Sequence, residues 1–261
     1  MLALLENCYG KSKFNSHLIL HPKLQKSEKI LQYAYLGDCD KVIDEVKKGA
    51  NPNLTTPWKE TPLIYMSKYN CPKAVAILLK NKADVNYIDQ NGFTALLHAG
   101  TVYLGSKISF AKRQKRFTQI VKSLVQAGAK INIKSNNGNY LLRLVGCEGS
   151  LEVFNYLMKR GIKKEQVSGA LVCAIRWKYK ELYEHIFKKY MQYVNINYQF
   201  MGYETALIAA SIWKGNLPLV KKLVTLGADF NQKGKDRGSA IETAKKRGNT
   251  EIYNYLRSLK N

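Results

Sequence analysis

The segment Lys82-Ala83-Asp84-Val85-Asn86 sets the reading of this chain, because it returns in altered form at regular distances. Gly49-Ala50-Asn51-Pro52-Asn53, Gly128-Ala129-Lys130-Ile131-Asn132 and Gly227-Ala228-Asp229-Phe230-Asn231 are clear copies, and Tyr193-Val194-Asn195-Ile196-Asn197 is a weaker one. Asn53 to Asn86 is 33 positions, Asn197 to Asn231 is 34, and Asn132 to Asn197 is 65, close to two periods. A fixed period of this size marks a stacked-repeat fold, in which each unit buries its apolar face only against its neighbours.

A second landmark lies eight positions after each asparagine: Thr61-Pro62-Leu63, Thr94-Ala95-Leu96, Tyr140-Leu141-Leu142, Thr205-Ala206-Leu207 and Ser239-Ala240-Ile241. A Thr or Ser there caps a helix by accepting from its free N–H groups, and Pro is tolerated in the first helical turn. A second helix follows in each unit and ends in an apolar run, such as Ala76-Ile77-Leu78-Leu79 or Val220-Lys221-Lys222-Leu223-Val224. Gly49, Gly128, Gly161 and Gly227 then supply the left-handed residue that stops it.

The Thr-Pro-Leu start at Thr61, the spacing and the closing Ala-Asp-Val-Asn resemble the ankyrin-repeat family over about residues 29–257. The resemblance implies an all-α solenoid of stacked helix pairs with short β-hairpin or loop fingers. About seven units are expected, at 29–53, 54–86, 87–132, 133–162, 163–197, 198–231 and 232–261, after an N-terminal extension over 1–28. Two irregularities stand out. Asn86 to Asn132 is 46 positions, so the third unit carries 13 extra residues, expected between its helices at 103–117. The cap expected near Gly169 follows Gly161 by only 8 positions, which predicts a stunted finger before the fifth unit.

Composition narrows the function. No stretch approaches the roughly 18 consecutive apolar residues of a membrane span, and the run Met1 to Leu5 lacks the flanks of a secretory signal. The expectation is a soluble, cytoplasmic monomer, with the nucleus or export into a host cell without a cleavable signal left open. Five scattered cysteines, an odd number with no CxxC pair, argue against a disulfide framework. The 42 Lys+Arg against 19 Asp+Glu, a formal +23, favour an acidic partner. They also fit the Lys-, Asn-, Ile- and Tyr-rich composition that an AT-rich genome encodes. With the fold, that composition is similar to effector or host-range ankyrin proteins of intracellular bacteria and large DNA viruses.

Catalytic motifs are missing: the sequence has no Gly-rich phosphate loop, HExxH or GxSxG. His17 and His21 have no further ligand at a zinc-like spacing, and Cys173 with His185 has no third, orienting group. Neither a catalytic residue, a metal nor a cofactor is expected, and the chain reads as a non-catalytic protein–protein interaction module. The resemblance implies a concave groove formed by finger tips and inner helices. Counting from each cap, it assigns partner contacts to Trp58, Tyr69 and Phe93, and then to Arg176, Trp177, Met201, Ile212 and Trp213. All three tryptophans fall on these positions, and Trp and Arg often dominate binding energy. The cluster Lys112, Arg113, Lys115 and Arg116 reads as a polyanion-binding or nuclear-localisation patch on an exposed loop, or else as a solvated extension of the outer helix.

Overall fold

The computed structural model describes residues 21–25, 28–101, 109–199 and 202–259. Most of the extension over 1–28, the first part of the expected insertion and the contact residue Met201 lie outside these residues. The chain divides into two compact units, Met1–Asn137 and Gly138–Asn261.

Unit 1 holds three helix pairs. They are α1 (Lys29–Leu36) with α2 (Cys39–Lys47), α3 (Pro62–Lys68) with α4 (Pro72–Lys80), and α5 (Ala95–Ala99) with α6 (Phe110–Gln126). A 3-10 turn at Pro22–Leu24 precedes them and buries Leu24 completely. Unit 2 holds four pairs: α7 (Leu141–Glu148) with α8 (Leu151–Lys159), α9 (Val167–Arg176) with α10 (Lys180–Lys189), α11 (Ala206–Ala210) with α12 (Leu217–Thr225), and α13 (Ala240–Lys246) with α14 (Thr250–Ser258). Within each unit the inner helices stack in chain order, α1 on α3 on α5 and α7 on α9 on α11 on α13.

Inner and outer helices differ because their burial differs. Every residue of α5, α7, α9 and α11 is buried, so these helices are enclosed on all sides. The outer helices bury one stripe, such as Val42, Ile43 and Val46 on α2 or Leu219, Val220 and Leu223 on α12. The caps act as their residue types dictate. Thr61, Thr94 and Thr205 each accept from the N–H three residues on, and Ser239 forms a reciprocal capping box with Glu242. Tyr140, at the same register, makes no side-chain cap. There the amide oxygen of Gln166 accepts from the N–H of Leu142 at 3.3 Å.

Gln166 reaches that position because the fifth unit has no finger. Lys164–Gln166 is a 3-10 turn that runs straight into α9, so the cap expected near Gly169 is displaced and Gly169 lies inside the helix. Two glycines let α7 and α9 approach closely. A Cβ on Gly146 would stand 2.5 Å from the carbonyl oxygen of Ala170, and one on Gly169 would stand 3.2 Å from Cβ of Arg143.

The repeating asparagines join successive units. Nδ2 of Asn53 donates to the carbonyl of Lys82 at 3.0 Å, and its Oδ1 accepts from the N–H of Asp84 at 2.7 Å. Asn86 does the same to Gly128 (3.1 Å) and Lys130 (2.8 Å). Asn197 repeats it on Gly227 (3.2 Å) and Asp229 (2.7 Å). The fingers are tight turns, and an antiparallel bridge between Gly234 and Gly238 is the remnant of a hairpin. In the turn before α5, Oδ1 of Asp89 accepts from the N–H groups of Asn91 (2.8 Å) and Phe93 (2.9 Å), and Oδ2 bonds Nε2 of His98 at 2.8 Å. Burial alone would raise the Asp89 pKa, but the bond and charge of His98 and the two N–H groups outweigh it and hold that pKa below the usual carboxylate value.

Two sequence expectations are corrected. Residues 110–117 form the first two turns of the 17-residue helix α6, so the basic cluster is helical and not a loop. Among the described residues the cysteines pair, Cys39 with Cys71 and Cys147 with Cys173, across separations of 32 and 26 residues. Sequence spacing hid both pairs because stacking brings neighbouring repeats side by side, about one period apart in the chain.

Three outcomes test this account. Asn86→Ala should lower stability by about 1–3 kcal/mol, the sum of two partly exposed hydrogen bonds, in chemical denaturation. Gly146→Ala should cost about 1–3 kcal/mol by overpacking against Ala170. Asp89, whose folded pKa lies below its ordinary 3.8, gives a contribution that is complete above that value and disappears as pH falls through the folded pKa. Asp89→Asn should therefore flatten the acid limb of a stability-against-pH curve.

Candidate functional site

In unit 1 the expected contact residues Trp58 and Tyr69 belong to an aromatic cluster. Trp58 is half-buried, edge-on to His21 at 4.9 Å and stacked over Tyr35 at 5.9 Å. Tyr65 meets Tyr35 at 6.0 Å and stacks on Tyr69 at 6.3 Å. The hydroxyl of Tyr69 donates to the carbonyl of Tyr35 at 3.0 Å, which ties α3 to α1. Tyr65 donates its hydroxyl to Glu60, and burial, then the Glu60 carboxylate, pushes its pKa far above the usual phenol value. Phe93 is corrected from a contact residue to a core one, at 5% exposure. The Asp89 turn tucks its ring inward against the ring of His98 at 5.1 Å.

Glu60, Asp89 and His98 bring ligand-type atoms within 4.8 Å of one another. Their donor set does not fit a cation as it stands. Asp89 and His98 bond each other directly, Glu60 takes the Tyr65 hydroxyl, and the Lys68 ammonium lies 3.9 Å from Glu60. A metal would have to displace the first two bonds and share the site with a positive charge. Sequence reading missed this cluster because its members come from two successive units and their spacing matches no ligand motif.

In unit 2 the expected patch of Arg176, Trp177, Ile212 and Trp213 is contiguous at one point. The indole N–H of Trp213 donates to the carbonyl of Arg176 at 3.1 Å, and the Lys178 ammonium stands 4.4 Å above the Trp213 ring. Both tryptophans are half-buried and Lys178 is exposed. Arg176 and Ile212 are corrected: they are 3% and 7% exposed, so their side chains do not face a partner. Ile212 turns inward because α11 ends at Ala210 and the chain folds back over the core. Arg176 turns inward towards Glu204, whose Oε2 lies 3.7 Å from its Nη1 and 3.6 Å from Nε of Arg237. Two guanidinium groups thus stand beside one buried carboxylate.

The basic residues lie on the first turns of α6. Lys112 and Lys115 are exposed, Arg113 and Arg116 half-buried, and the Arg113 guanidinium stands 5.4 Å from the Phe110 ring. Among the described residues no helix is long and apolar enough to cross a membrane.

The family model for ankyrin repeats (3 copies) matches residues 30–106. An L-asparaginase of Dirofilaria immitis is 25% identical over 142 residues, which cover 53% of this chain and 23% of that protein. Alpha-latrotoxin-Lg1a of Latrodectus geometricus is 28% identical over 138 residues, 51% of this chain and 10% of the toxin. The chain therefore spans a minor part of the length of either relative. Among solved structures, the human ASB11 ankyrin repeat domain superposes with a TM-score of 0.63 at 17% identity, covering 88% of this chain and 97% of that one. The ankyrin repeat domain of Bcl-3 does so at 0.54 and 19%, covering 89% and 99%. These likenesses agree on the fold, which serves generally as a protein-binding scaffold. Residues 30–106 match the ankyrin-repeat family model, and with the same helix pairs continuing to Ser258 the chain has the fold of an ankyrin-repeat domain.

Proposed function

We propose that this chain is a non-catalytic module that binds an acidic partner protein through the Trp213 surface of unit 2. The observation that carries the reading is the state of Trp213 itself. Its indole is fixed by the bond to Arg176, a lysine ammonium covers its ring, and part of it stays open to solvent. A rigid aromatic anchor loses little freedom on binding, and Trp is prominent among the residues that dominate interfaces. Trp177, half-exposed, ends the helix that carries Arg176 and widens the apolar area. The exposed Lys178 makes the surroundings of the ring positive, so a partner with carboxylates beside an apolar side chain fits better than a neutral or basic one. Trp58 on the finger of unit 1, stacked over Tyr35, is a second anchor of the same kind.

The test needs a purified partner, identified first by affinity capture and cross-linking. Lys178→Glu should weaken binding about tenfold, roughly 1.4 kcal/mol, with an unchanged melting temperature because Lys178 is exposed. Trp213→Ala should weaken it further. Titration calorimetry in which neither variant changes the affinity would overturn the proposal.

A further inference from the structure

Helix α6 is anomalous in length and charge. It has 17 residues, whereas its inner partner α5 has 5 and the outer helices α2 and α4 have 9 each. At about 1.5 Å per residue, the excess over α4 is on the order of 12 Å of helix. The fully buried side chains of α6 begin at Phe117, and in the turns from Phe110 to Arg116, which overhang the length of α4, the side chains are exposed or half-buried. Asn70 ties this overhang to the preceding unit by donating to the carbonyl of Arg113 at 3.3 Å.

The overhang carries Lys112, Arg113, Lys115 and Arg116, and the chain contains no Asp or Glu between Asp89 and Glu148. The neighbouring outer helix α4, which packs on α6, adds the exposed Lys73 and Lys80 and also has no acidic residue. Among the described residues, Lys112, Lys115 and Arg116 make no ion pair. Other outer helices carry cations in last turns, such as Lys47, Lys188 and Lys189, where they complement the helix dipole, and also in first turns, such as Lys41, which pairs with Asp38. Lys112, Lys115 and Arg116 sit in the first two turns of α6, where the dipole opposes them and the helix offers no carboxylate to offset it. An external anion would.

Phe110 distinguishes among polyanions. It is 51% exposed at the tip of this basic segment, one of three large apolar side chains that the described residues leave exposed. Cations spread over two adjacent outer helices, with an aromatic ring at their edge, match an interface that offers anionic headgroups and an apolar layer below them. A nucleic-acid duplex offers the charge without the apolar layer. We infer that the first turns of α6, with Phe110 at their tip and Lys73 and Lys80 beside them, dock this chain on an anionic lipid bilayer.

The test is sedimentation of the full chain with phosphatidylcholine vesicles, with and without phosphatidylserine, at low and high salt. Binding should require phosphatidylserine and fall steeply with salt. The triple variant Lys112→Glu, Lys115→Glu, Arg116→Glu should lose about tenfold or more in partitioning. Its melting temperature should stay the same or rise, since acidic residues suit a first helical turn. Phe110→Ala should reduce binding several-fold without changing its salt dependence. Equal binding to neutral vesicles, an unaffected triple variant, or a melting temperature lowered by that variant overturns the inference. So does tighter binding to a DNA duplex or RNA hairpin that Phe110→Ala leaves untouched.

Discussion

The side-chain amide of the asparagine that closes three of the repeats is the constraint on which the rest of this structure depends. An amide carries a donor and an acceptor a fixed distance apart, and Asn53, Asn86 and Asn197 spend both on the backbone of the next repeat. The same asparagines are held in place from behind. Their own N–H groups donate to Asn51, Asp84 and Asn195 two positions earlier, at 2.9, 2.9 and 3.0 Å. Aspartate could accept there but not donate, and glutamine would place the amide too far out. Once the clamp fixes the spacing of one loop against the next, the helices behind it must stack with the same spacing, which is why inner helices as short as five residues suffice.

Much of this was legible in the sequence because the residues that set the register are chemically distinctive. Thr61, Thr94, Thr205 and Ser239 cap the helices they announce, and the recurring asparagines are the clamps themselves. What was not legible depends on distances across the chain. Counting from a cap gives a position on a repeat but not the depth of its side chain. Phe93, Arg176 and Ile212 face inward, because finger length and inner-helix length vary between units. The missing cap at Tyr140 and the missing finger before α9 look like separate defects in one dimension. In three dimensions Gln166 makes them a single compensated one.

The polar groups fall into two regimes. In the core, charges are few and mutually engaged: Asp89 with His98, and Glu204 between two arginines. A buried charge without such partners is expensive, so Asp89 and His98 fix the turn and helix of one repeat, and Glu204 constrains the repeats it bridges. On α4 and α6, outer helices of unit 1, the cations instead accumulate on helices that contain no acidic residue. The same excess of Lys and Arg thus does opposite things at different depths, fixing geometry inside and supplying field outside.

The cysteine pairs bear on how such a chain behaves under tension. A stack whose contacts run only between neighbours yields to a pull on its ends one repeat at a time. A covalent bond between neighbouring repeats removes the enclosed residues from the length that can be drawn out. Cys39–Cys71 encloses 32 positions and Cys147–Cys173 encloses 26, or about 110 Å and 90 Å of extended chain. An oxidised molecule would lengthen in fewer and shorter steps than a reduced one. In unit 2 the region that stays folded longest would be the block around α7 and α9, where Gly146 already brings the two backbones closest together.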